Sequence, residues 1–167
     1  PSSARLQDFL SDVVRGGERV VDYGAGSGVL SIAAIKLGAA TATAVDIDLQ
    51  ILDNCHVNCQ INGVTDRVEV VHGRELLPGR LRGDVVVANI LVGPLLRLLP
   101  VLVLALPERG WLALSGFRRA DAPVLREAFG RYVDWDDSLE ATATHPTWGE
   151  WVRLVGRPKV AVAGGGG

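Results

Sequence analysis

Polar and apolar positions in this chain switch repeatedly between a helical period and a strand period. From Ser2 to Arg15, apolar residues fall at 6, 9, 10, 13 and 14, one face of a helix. Ser2 or Ser3 serves as its cap, and Gly16-Gly17 ends it. Short β-branched runs follow at about 19–23, at Thr41–Val45 leading into Asp46-Ile47-Asp48, and at Val68–Val71 ending in His72-Gly73. Two more predicted strands lie at Asp84–Asn89, rich in Val, and at Gly110–Ser115, apolar but not β-branched. Helical patterns occupy about 27–37 with Gly38 as a stop, about 49–62 ending at Asn62-Gly63, and about 120–129. Residues 74–83 read as loop. The apolar run Ile90–Leu106 is interrupted by Pro94, Arg97 and Pro100, and predicts a strand end followed by a buried, proline-broken helix. Residues 131–143 and 149–155 predict two closing strands joined by Thr144-His145-Pro146-Thr147.

Alternating strands and helices predict a doubly wound α/β sheet, mostly parallel, with an antiparallel hairpin at its C-terminal end. Val85–Ala88 is apolar on both faces, which places that strand in the middle. Right-handed crossovers put ligands at the C-terminal ends of such strands, near the point where strand order reverses. Asp22, Asp46, His72 and Asn89 all fall at those ends, which argues for one shared site.

The chemistry starts at Val20-Val21-Asp22-Tyr23-Gly24-Ala25-Gly26-Ser27-Gly28, a strand running into a tight turn and the start of a helix. Glycines allow a sharp turn and a close approach to a ligand, and free N–H groups at the helix start favour an anionic group. A dinucleotide fingerprint would place its third glycine at position 29, which is Val. Here the glycines stand at every second position, with an acid two residues before the first. That pattern resembles the first motif of S-adenosylmethionine-dependent methyltransferases of the Rossmann-like class. Nicotinamide binding is the disfavoured rival.

Composition narrows the setting. The 167 residues, 48% of them hydrophobic, suit one domain with a full core, read as 1–160 followed by a flexible tail at 161–167. A net charge of −2 gives no electrostatic case for nucleic-acid binding. The longest apolar run is too short and too interrupted for a membrane span. Cys55 and Cys59 lie four apart on a predicted helix and read as buried small hydrophobes in a reducing compartment. A structural zinc site wants four ligands, so no metal is expected. The chain begins at Pro1 and has no Met, so a longer parent is expected, cytoplasmic unless an organelle address was lost.

Each strand end then takes a role. Asp46, about twenty residues after the glycine turn, accepts both ribose hydroxyls, while Asp48 caps the following helix. Ile47 packs on the adenine face. Backbone groups of Gly73 or Arg74 meet the adenine edge, where related enzymes often carry an acid. His72 reads as a polar residue at a strand end rather than a base. Asn89 closes the central strand, and its side-chain oxygen accepts from an amine and aims the nitrogen lone pair at the methyl group.

With Asn89-Ile90-Leu91-Val92-Gly93-Pro94-Leu95 the chain resembles the PrmA-type methyltransferases, which modify large-subunit ribosomal protein eleven. The likeness runs through Val21–Gly28, Val45–Asp48, Val85–Ile90, Leu112–Gly116 and Gly149–Leu154. It implies a Rossmann-like methyltransferase fold, S-adenosyl-L-methionine as cofactor and methylation of lysine side chains and an α-amine. Carried over by position, Asp22, Gly24, Gly26 and Asp46 hold the cofactor and Asn89 faces the acceptor amine. Tyr23, Ala25, Gly28, Ile47, Gly73 and Arg74 complete the expected cofactor contacts. Family members also carry an N-terminal substrate-recognition domain, which this sequence lacks. They carry a His-Pro-Thr-Thr segment over the cofactor as well, of which Pro1-Ser2-Ser3 looks like the remnant. A same-fold enzyme with another acceptor, and a cofactor-binding module without activity as a fragment, are the alternatives.

Overall fold

Each of the five apolar runs from residue 19 to residue 115 becomes a strand because turn-forming residues bound it and helices cover its faces. A computed structural model, which describes residues 2–76, 79–147 and 149–159, contains one eight-stranded sheet flanked by helices. The strands are β1 (Arg19–Tyr23), β2 (Thr41–Asp46), β3 (Val68–His72), β4 (Val85–Asn89), β5 (Trp111–Arg118), β6 (Val133–Trp135), β7 (Ala141–His145) and β8 (Gly149–Pro158). The helices are α1 (Ser2–Val13), α2 (Val29–Leu37), α3 (Leu49–Ile61), α4 (Val92–Leu104) and α5 (Ala122–Phe129).

The sheet order is β3-β2-β1-β4-β5-β8-β6, with β7 also paired to β8. The first five strands are mutually parallel, and β8 runs antiparallel to β5, β6 and β7. Strand order reverses between β1 and β4, where Tyr23 stands beside Ala88. That pair of strand ends is where such a sheet opens a ligand crevice.

Two apolar layers hold the sheet. On one face α1, α2 and α3 pack Leu6, Phe9, Leu10, Ile35 and Cys55 against Val20, Ala44 and Val87. On the other, α4 and α5 pack Leu95, Leu102, Leu125 and Phe129 against Val21, Val86 and Leu114. β4 is buried on both sides from Val85 to Ala88, as its composition predicts. Leu6, Phe9 and Leu10 of α1 are fully buried, worth about 1.5–3 kcal/mol each relative to exposure.

Four expectations are corrected. The predicted proline-broken helix is a single continuous α4 with Pro100 inside it. Proline removes one backbone donor, but the buried Leu95 and Leu102 hold the turns on either side against the sheet. The predicted strand 131–143 is two strands, β6 and β7, separated by a 3-10 turn at Asp137–Leu139. Asp136 makes that break, its side chain accepting from Ser138 N at 3.1 Å and Ser138 Oγ at 2.5 Å. Thr144 and His145, expected in a linker, belong to β7. Finally, α1 ends at Val13, and Ser3 lies inside the helix with its hydroxyl bonded across to β4 instead of capping. Residues 160–167, which include the predicted tail, lie outside the described residues.

Candidate active site

The glycine turn is built from backbone outward. Gly24, Gly26 and Gly28 all have positive φ, at 77°, 57° and 79°. Gly24 N and Ala25 N both donate to Val45 O, at 2.8 and 2.9 Å, so the turn is folded back against β2. A Cβ on Gly24 would fall inside contact distance of Ile90 Cγ2, whereas a Cβ on Gly26 would meet nothing within 4 Å. One glycine therefore serves close packing, and the other faces open space.

Asp22 points to the α2 face and is completely buried. Its Oδ2 accepts from Ser31 N at 3.1 Å and Ser31 Oγ at 2.9 Å, which ties the end of β1 to the first turn of α2. Its Oδ1 has no partner. Burial pushes this carboxyl up to about 6, against the opposing pull of the Ser31 bonds, and the nearby Asp46 adds to the rise. Tyr23 projects to the other face and is nearly buried; a Cβ on Gly73 would lie 3.4 Å from its hydroxyl oxygen.

Asp46, half-buried at the end of β2, knits the turn together. Its Oδ2 accepts from Gly26 N at 3.0 Å, and its Oδ1 accepts from Ile47 N at 2.7 Å and Asp48 N at 3.3 Å. Asp48 caps α3, accepting from Gln50 N and Ile51 N. Ile47 is 69% exposed, a large apolar side chain held out beside the site. Arg74 is exposed in the 3-10 turn Gly73–Glu75 and lines a concavity with Asp46, Ile47 and His72. His72 Nε2 meets Ile47 O at 3.0 Å. It sits at the β3 end, away from β4.

Asn89 ends β4 opposite Ser115. Its Nδ2 donates to Ser3 Oγ at 2.9 Å, while its Oδ1 is buried without a partner. Gly116, in the bulge of β5, allows this approach, since a Cβ there would lie 2.9 Å from Asn89 Oδ1. Ile90 N donates to Ser115 O at 3.1 Å and its side chain lies against Gly24. Thus the structure brings Asp22, Tyr23, Gly24, Ala25, Gly26, Gly28, Asp46 and Asn89 to adjoining strand ends. Ile47, Gly73 and Arg74 lie on the β2–β3 side of the same edge. Sequence reading placed Ser3 in the remnant of a cofactor-covering segment and Ile90 and Gly116 in family-like stretches, but gave none of the three a contact with Asn89 or the glycine turn. The predicted fifth strand stops at Ser115, so Gly116 as a glycine inside a strand emerges only with the structure.

Cys55 and Cys59 are both fully buried. Burial pushes the Cys55 thiol up to about 12, with Cys59 and two carboxylates adding to the rise. No group of three or more His, Cys, Asp or Glu able to hold a metal occurs among the described residues.

This strand order, with a glycine turn at the reversal point and an acid closing β2, is that of the Rossmann-like methyltransferases. Solved methyltransferases superpose on it. The tRNA m1G37 methyltransferase of M. jannaschii does so with a TM-score of 0.78 at 18% identity, over 94% of this chain and 49% of that one, a likeness of fold alone. Ribosomal protein L11 methylase from Lactobacillus delbrueckii subsp. bulgaricus gives a TM-score of 0.82 at 28% identity, over 95% of this chain and 79% of that one. The profile of the family described as ribosomal protein L11 methyltransferase (PrmA) matches residues 6–159, and the chain belongs to that family. The ribosomal protein L11 methyltransferase of Salmonella arizonae is 38% identical over 159 residues, 95% of this chain and 52% of that protein. That of Shewanella putrefaciens is 36% identical over the same share of each. The chain spans about half the length of these curated relatives.

Proposed function

We propose that this chain binds S-adenosylmethionine and transfers its methyl group to amino groups of a ribosomal protein, the large-subunit protein L11 named for its relatives. The observation that carries the reading is the Asn89 side-chain oxygen, buried and unpartnered at the end of β4, against Gly116 of β5 and next in the chain to Ile90, which packs on the glycine turn. A buried acceptor without a donor is costly and uncommon, and an incoming N–H relieves it.

The residues present suit the cofactor. The open side of Gly26 leaves room against the backbone. Asp46 makes three backbone bonds, and a carboxylate has about four acceptor positions, so capacity remains for a ribose hydroxyl. Exposed Ile47 offers an apolar face for a flat base, and the Gly73–Arg74 backbone offers an edge. Asp22 supports this arrangement from behind by fixing α2 through Ser31. When bound, S-adenosylmethionine supplies an electrophilic methyl group on a positively charged sulfur.

An acceptor lysine near pKa 10.4 must lose its proton first, which at pH 7 costs about 4–5 kcal/mol. Desolvation beside a positive charge lowers that cost. Asn89 then accepts one N–H of the neutral amine and turns its lone pair toward the reacting carbon. Alignment of this kind, rather than a dedicated base, supplies the main acceleration.

Calorimetric titration with S-adenosylhomocysteine tests the reading, with NADH as control and Asp46→Ala in parallel. Binding that the substitution abolishes, with no response to NADH, supports it; binding of NADH alone overturns it. In a methylation assay on purified L11, Asn89→Ala lowers turnover by about 10²-fold while cofactor affinity changes much less. Equal losses in both would remove the aiming role.

A further inference from the structure

Arg153 of β8 is a buried cation, 6% exposed, with no carboxylate within ion-pairing distance among the described residues. Its guanidinium donates instead to two backbone carbonyls. Nε and Nη2 donate to Leu139 O at 3.2 and 2.8 Å, and Nη1 donates to Arg5 O in the first turn of α1. The group also lies over the Phe9 ring, 5.6 Å from its centroid. Burial lowers its pKa, yet a guanidinium stays charged in proteins. A charge held in this way costs free energy that an apolar side chain of similar size would avoid. What it adds is direction: a planar fork that binds three segments at fixed angles.

The three segments are β8, the Asp137–Leu139 turn and the start of α1. The turn is itself held by Arg126, which pairs with Asp137 at 2.7 Å and Glu140 at 2.5 Å. Leu6, Phe9 and Leu10 attach α1 to the sheet through non-directional apolar contacts, and the Arg153 bond to Arg5 O adds a directional tie at its first turn. Arg5 O lies two residues beyond Ser3, whose Oγ takes the Asn89 Nδ2 proton. An axial shift of α1 would break that bond and free the Asn89 amide to turn over.

We propose that Arg153 is a positioning residue of the site: it fixes the first turn of α1 so that Ser3 holds the Asn89 amide by its nitrogen. Oδ1 is thereby left as the amide's free acceptor. The proposal rests on the reading of Asn89 as the group that meets the acceptor amine, and assigns its orientation to a residue 64 positions away in the chain.

The test is nuclear magnetic resonance of the side-chain amide of Asn89 in the full chain, without cofactor or acceptor, the signal being assigned by its loss in Asn89→Ala. In the unchanged chain the pair is shifted by its bond to Ser3 and exchanges slowly with water. Arg153→Met and Ser3→Ala each move it to the position of a free amide and speed its exchange about fivefold to tenfold. The double variant behaves like either single one, because both remove the same contact. A role in stability alone would leave the Asn89 pair in place in the folded variant. An unmoved pair in folded Arg153→Met overturns the proposal, and so does a further shift when Ser3→Ala is added. If Arg153→Met does not fold, Arg153→Lys is judged by the same two criteria, since it keeps the charge and loses the fork. The readout needs no ligand, so failure of the S-adenosylhomocysteine titration and failure of the Arg153 anchor are separate results.

Discussion

The two halves of the site are built by different means. On the β1–β2 side, backbone groups and neighbouring acids do the work over short sequence distances: Asp22 to Ser31 spans 9 residues, and Gly26 to Asp46 spans 20. On the β4–β5 side, single side chains reach across the whole chain. Asn89 to Ser3 spans 86 residues, and Arg153 to Arg5 spans 148. The first half is a rigid cradle whose shape follows from a local motif. The second depends on how α1 and β8 dock, so the Asn89 amide meets a partner far from it in the chain.

The largest effect expected tests the cradle. Gly24→Val combines a positive φ of 77° with a collision against Ile90, and is expected to destabilise by about 3 kcal/mol or more in urea denaturation. Gly26→Ala shares the positive φ but meets no atom, so its stability loss stays near 1 kcal/mol while S-adenosylhomocysteine binding is lost. If the two variants lose stability equally, the division between packing glycine and ligand-facing glycine fails.

Asp22 predicts a pH effect of nearly the same size. The folded carboxyl stands at about 6 against its ordinary 3.8, so between those values the folded state holds a proton that the unfolded chain has released. Its contribution to stability is therefore greatest below about pH 4 and falls as pH rises through 6. The difference is about 3 kcal/mol. Asp22→Asn should gain on the unchanged chain by up to that amount between pH 4 and pH 7.5, measured by urea midpoints. Asp84, held low by Arg19, titrates in the opposite sense in both proteins and cancels in the comparison. The smallest effect is at the edge of the cradle: Asp48→Ala removes the α3 cap and costs about 1 kcal/mol, with cofactor binding little changed.

Legibility in the sequence followed this same division. Val85–Ala88, apolar on both faces, was readable as the central strand, and Asp48 as a cap, because periodicity and capping are local. The break between β6 and β7 was not, since it comes from Asp136 taking Ser138 N within an otherwise strand-like run. Pro100 misled for a related reason: the propensity cost of one missing donor is visible locally, while the packing that outweighs it is not. Ser3 reads as a helix cap on its own neighbours, and only the docking of α1 gives its hydroxyl to Asn89.

By itself, the sequence determined the α/β alternation, the glycine turn and the acids that close β1 and β2, because each depends on residues within about one supersecondary unit. The tertiary structure alone decided that Asp22 is sealed behind the turn, that Asn89 has its nitrogen engaged and its oxygen free, and that Arg153 reaches the start of α1. Those outcomes depend on which side chains meet across the sheet, and contacts over 86 and 148 residues leave no periodic trace in the chain.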